Sequence, residues 1–154
     1  MSEKQDFVAA LRRGLEEVES LAPSIDRPEA PGNDWNARDI LAHMAFWEGR
    51  AQEFLRLVPE GREGDLLNPA DAAEVDAWNE RVHRENRSTS WPMALRYWTD
   101  LRRKTIKQLE AVDEELLARP HLHHSVKAQV AEDTSEHDEQ HLPRLRELAS
   151  VAGR

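Results

Sequence analysis

No cysteine occurs among the 154 residues, which excludes disulfides, thiolate ligands and a cysteine nucleophile. Any metal site must then be built from His, Asp or Glu. A basic surplus is missing too. Against 21 Lys and Arg stand 30 Asp and Glu, a formal charge of −9 that repels phosphate backbones and anionic lipid. No Lys/Arg cluster stands apart from acidic neighbours, so neither nucleic acid nor a membrane is expected as a partner. No apolar run approaches the roughly 18–20 residues of a membrane span, and the N-terminal Met-Ser-Glu-Lys-Gln-Asp lacks an apolar signal core. A cytoplasmic location is the expectation. Strict alternation of apolar and polar residues is absent and β-branched residues are sparse, which argues against strands.

With only 3 Phe and 1 Tyr, much of the aromatic bulk falls to 5 Trp. At 39% hydrophobic and 33% charged the chain is lean but globular. Its length suits one domain spanning 1–154, large enough to bury a core.

Helical periodicity supplies the organisation. Ser2 and Gln5 read as a capping box, and Phe7, Val8, Leu11, Leu15, Val18 and Leu21 follow at helical spacing before Pro23. Pro23, Pro28, Pro31 and Gly32 mark a loop to Asp34. Asn36 and Asp39 suit the start of a second helix, with inward positions Ile40, Met44, Trp47, Ala51, Phe54 and Val58 and with His43 on the flank. A polar break follows from Pro59 to Asn68; Asn68 and Pro69 then suit a cap and first position for a third segment through Val75, Trp78 and Val82. After an interruption at 86–89, Ser90 caps a run through Leu95, Trp98, Leu101, Thr105, Leu109 and Val112. A short turn follows from Asp113 to Pro120. His121, His123 and His124 fall in a loop, where a histidine cluster either binds metal or is simply solvated, and Ser125 caps a single last helix. Pro143 inside that helix predicts a bend just after His141. The expected fold is all-α, a four-helix bundle with medium-length loops.

The last helix carries the chemistry. Val126, Val130, Thr134, His137, His141, Leu145 and Leu148 recur at steps of three and four, which places both histidines on the apolar stripe, one turn apart. A buried imidazole needs a partner. Two readings meet that need: core histidines satisfied by carboxylates or carbonyls, or a pair that holds a metal. His43 from a facing helix would complete three ligands and leave positions open for water or substrate, as in a reactive site. By spacing, Asp133 and Asp39 each lie one turn before a histidine and suit hydrogen bonding to it, although Asp39 is equally a first-turn residue favoured by the helix dipole. Trp47, Trp78 and Trp98 each suit either a pocket wall or plain core, and His83 suits the surface. Asp138 and Glu139 turn away from His137 and are expected in solvent.

Trp35-Asn36-Ala37-Arg38-Asp39-Ile40-Leu41-Ala42-His43 with Trp47, and Asp133-Thr134-Ser135-Glu136-His137-Asp138-Glu139-Gln140-His141-Leu142, resemble the DinB-like superfamily of four-helix proteins. This superfamily, also called DinB/YfiT-like, includes bacillithiol and mycothiol transferases and the ClbS/DfsB branch. Val75-Asp76-Ala77-Trp78-Asn79 and the helix after it look like its middle region, so the likeness covers nearly the whole chain. It implies that His43, His137 and His141 bind a divalent metal, commonly zinc or nickel, in a pocket between helices, and that the protein is frequently a homodimer. Pro143 departs from the family pattern. The activity implied is transfer of a low-molecular-weight thiol to a small electrophile, or hydrolysis of such a molecule. The alternatives are a non-catalytic stress or toxin-resistance protein that sequesters a small molecule, and a structural bundle whose histidines are core residues.

Overall fold

Most of the longer helices start where a side chain can take up a free amide of the first turn. The computed structural model describes the backbone of residues 1–152 and the side chains of residues 1–150. Helix α1 (Glu3–Leu21) opens on the Ser2/Gln5 capping box, and α2 (Ala37–Leu57) on a reciprocal Asn36/Asp39 box. Helix α4 (Trp91–Ala111) is capped by Ser90, with proline in its first turn. These three match the sequence expectation.

Helix α3 (Ala72–Glu85) starts three residues later than Asn68 and Pro69 suggest. Asp71 accepts from the Glu74 amide at 2.9 Å, and Glu74 reaches back to the Ala70 amide at 2.6 Å. Asn68 instead accepts from Arg50 at 3.2 Å. After α4 come α5 (Glu114–Ala118) and a two-residue antiparallel pair, β1 (Pro120–His121) with β2 (His124–Ser125). The expectation of no strand fails there, because a ladder this short carries no readable alternation.

The expected single last helix is two. Helix α6 (Val126–Asp133), capped by Ser125, ends at Thr134, where φ is −126° and ψ −91°. There the Thr134 hydroxyl donates to the Val130 carbonyl at 2.7 Å and the amide to Ala131 at 3.2 Å. Helix α7 (Ser135–Ala152) then continues through Pro143 as one helix. The carbonyl that Pro143 leaves without its donor belongs to exposed Glu139, where water can serve. The interruption of the helical ladder therefore falls at Thr134, before His137.

The most extensive interface joins α2 to α4; α1 packs on α4 and α7, and α7 returns to α2, which closes a four-membered bundle. Helix α6 adds to the α2 side, and α3 lies outside on α2 with only Val82 buried. Leu11, Leu41, Met44, Trp98, Leu109 and Leu145 are enclosed at the centre. For α2 and α7 to be neighbours is what brings His43 opposite His137 and His141.

Candidate metal centre

His43 sits one turn inside the α2 capping box, and His137 and His141 occupy successive turns of α7. Their Nε2 atoms converge. His43 lies 2.8 Å from His137 and 3.1 Å from His141, and His137 and His141 are 3.1 Å apart. His43 and His137 are buried and His141 is half-buried. Burial, reinforced by mutual repulsion, lowers His43 to about 3 and His137 to about 2, and burial also lowers His141. All three rings are therefore neutral near pH 7.

Hydrogen bonds among them cannot satisfy such a triangle. Each Nε2 either carries a proton or presents a lone pair, so among three mutually facing nitrogens at least two are alike and repel. A cation resolves the conflict, because all three lone pairs then point at it. The separations fit: metal–nitrogen bonds of about 2.0–2.1 Å put adjacent ligands roughly 2.9 Å apart at right angles and roughly 3.3 Å apart at tetrahedral angles. Neutral imidazole is the form that ligates.

The triad forms one wall of an open cleft of about 370 Å³ that is also lined by Trp35, Trp47, Val75, Asn79, Asp133 and Gln140. Trp35 packs its ring 4.8 Å from that of His43. Trp47 is half-buried at the cleft, its indole N–H donating to Asn79 at 2.8 Å, so it does not sit in the plain core. Trp98 does, with no exposure.

Neither carboxylate sought beside a histidine forms that bond. The Nδ1 atoms of His43 and His137 are buried with no partner among the described residues. The Asp39 carboxylate is spent on the α2 cap, where it accepts from the Asn36 amide at 3.2 Å, on Arg38 at 3.1 Å and on His83 at 3.4 Å. His83 is thus half-buried and stacked on Trp35 rather than free on the surface. Asp133 lines the cleft, where burial, partly offset by Arg50, raises its carboxyl to about 7.

The sequence profile of the DinB superfamily matches residues 7–143. The chain belongs to the DinB superfamily. Among solved structures it is similar to an uncharacterised protein from Escherichia coli UTI89, with a TM-score of 0.80 and 12% identity over 97% of this chain and 94% of that one. At that identity the likeness shows the fold. No curated protein matches the sequence.

In this DinB-superfamily bundle a second polar cluster, absent from the sequence reading, lies beside the triad. Arg102 of α4 is fully buried and uses all five donors: two on Glu48 of α2 at 2.8 and 3.1 Å, two on Asp138 of α7 at 2.8 Å, and one on the Leu11 carbonyl at 3.2 Å. Asp138, expected in solvent, is buried because α7 is covered by α1 as well as by α2. Burial opposes the charge of Arg102, but Glu48 and Asp138 outweigh it and hold the guanidinium protonated. Gly14 of α1 makes room: a Cβ there would collide with the Asp138 carboxylate and meet Arg102 Nη1 at 2.8 Å. Arg102 thereby ties together the two helices that carry the histidines, five residues beyond His43 and one beyond His137. The missed signal was an Arg in phase with Trp98 on an apolar stripe, paired with two acids in phase with ligand-bearing stripes.

Proposed function

We propose that this chain is a metal-dependent enzyme acting on a small electrophilic molecule, with His43, His137 and His141 holding one divalent ion, zinc or nickel. The observation that carries the reading is the convergence of three neutral imidazole nitrogens within 2.8–3.1 Å at the wall of an open cleft. When bound, the ion supplies Lewis-acid chemistry that lets an oxygen or sulfur nucleophile ionise near neutral pH.

The chain's own residues do the rest. Asp133, which lines the same cleft with its carboxyl raised to about 7, would accept the nucleophile's proton at neutral pH. Trp35 and Trp47 provide flat apolar walls against which an electrophile can lie. Asn79 and Gln140 offer amides for orientation. The cleft is small, which suits a low-molecular-weight thiol or water as nucleophile. A homodimer belongs to the same proposal.

The test is to load the purified protein with zinc or nickel and supply a thiol and a model electrophile. Metal-dependent turnover that disappears in the His137→Ala, His141→Ala variant is the expected result. Ligand binding in the cleft without product would instead favour the second reading, sequestration of a small molecule, which the open aromatic cleft also accommodates. Light scattering of the same samples tests the dimer.

A further inference from the structure

A second set of imidazoles lies at the hairpin, apart from the triad. Leu122 and His123 make a two-residue turn between β1 and β2, with Leu122 at φ 52°, the left-handed region that favours glycine. The turn presents His123 and His124 side by side, their ring centroids 4.4 Å apart. Glu132, in the last turn of α6, reaches the same place. One ligand atom from each of the three lies within 4.8 Å of the others.

The hydrogen-bond polarity of His124 is the informative observation. Its Nδ1 is 3.1 Å from the His121 carbonyl, which can only accept, so Nδ1 carries the proton. Its Nε2 is 3.1 Å from Glu132 Oε1, which is also an acceptor. In the neutral ring, a lone pair on Nε2 therefore faces a carboxylate. Either a second proton or a cation must lie between them. A backbone carbonyl that fixes the tautomer and aims Nε2 outward is also the arrangement that orients ligating histidines. The neighbouring His123 is exposed and can swing its ring toward the same point.

We infer that His123, His124 and Glu132 form a second divalent-cation site, independent of the triad, that takes zinc or a similar borderline ion. Two imidazoles and one carboxylate are a complete set of three protein ligands with an open fourth position. Glu132 is fixed by α6 and His124 by the hairpin, so the ion bridges β2 to the far end of α6. It thereby fastens the turn against the helix that runs to Thr134.

The experiment uses zinc competed against a chromophoric chelator. In the His137→Ala, His141→Ala variant the triad cannot contribute, and one zinc equivalent is expected to remain. Adding His123→Ala and His124→Ala should remove it, whereas Glu132→Gln, which keeps the shape but not the charge, should weaken it by about tenfold or more. Absence of that equivalent, or its survival without His123 and His124, overturns the proposal. If the background variant does not fold by circular dichroism, wild-type protein is titrated instead. Loss of one equivalent in the His123→Ala, His124→Ala variant, whatever the wild-type total, supports the site, and an unchanged stoichiometry overturns it. Failure of the triad to bind would leave this readout intact.

Discussion

Two polar clusters, both largely buried, sit next to each other on helices α2, α4 and α7, and they differ in how their donors and acceptors balance. Around Arg102 every guanidinium N–H meets an oxygen, at 2.8–3.2 Å, so the group is closed. Around His43, His137 and His141 like atoms face each other and two Nδ1 atoms have no partner among the described residues. A closed cluster needs nothing further and acts as structure. An open one, whose lone pairs converge on a point beside a cleft, is poised to bind. Burial alone does not distinguish the two; donor and acceptor balance does.

The comparison breaks most severely at the open cluster. In His137→Ala, His141→Ala, metal binding at the triad and metal-dependent turnover should both be abolished while thermal stability changes little or rises, because a mutual repulsion is removed. Metal analysis, turnover and a melting curve on the same sample check this. At the closed cluster, Arg102→Met leaves Glu48 and Asp138 buried without a counter-charge and should cost about 3–5 kcal/mol in a denaturant titration. Replacing all three by apolar residues of similar volume should recover much of that loss, since a buried ion pair need not stabilise relative to a packed apolar substitute. Gly14→Ala pushes a methyl into Asp138 and should cost about 1–3 kcal/mol, with a loss of metal affinity through displaced α7 as the second readout.

Acid should separate the clusters further. His43 and His137 take up protons at about 3 and about 2 when folded but at 6.5 when unfolded. Below about 6.5 the unfolded chain thus binds more protons, and stability should fall as pH drops toward 3. Asp133 works the other way: raised from 3.8 to about 7, it holds its proton longer in the folded state, so its share of stability is lost as pH rises from about 4 to 7. Asp133→Asn should remove that smaller slope and, if Asp133 is the proton acceptor, lower turnover near neutrality by about a hundredfold or more. Paired melting curves and pH–rate profiles measure both.

Much of this was written in local signals. The caps at Ser2, Asn36 and Ser90 are short-range chemistry, and the four-residue spacing of His137 and His141 survives any packing. What escaped was decided by tertiary contacts. The stripe from Val126 to Leu148 keeps its phase across Thr134, so periodicity cannot show the break between α6 and α7. A helix with one buried face would leave Asp138 in solvent, but α7 is covered from two sides. Asp71 won the α3 cap over Asn68 because Arg50, far away in sequence, claims the Asn68 side chain. The strands are too short to leave a pattern, and the motif that begins at Trp35 does not show that its ring packs against His43.

The restart of the helix at Ser135 also determines how the family can vary. One residue inserted within an unbroken helix would rotate everything beyond it by about 100°, carrying His137 and His141 away from His43. Because Thr134 interrupts the ladder, α6 can lengthen or shorten upstream without turning α7, whose angular setting is pinned by Asp138 on Arg102. The hairpin end of the molecule is thereby released to diverge in evolution while the imidazoles keep their aim.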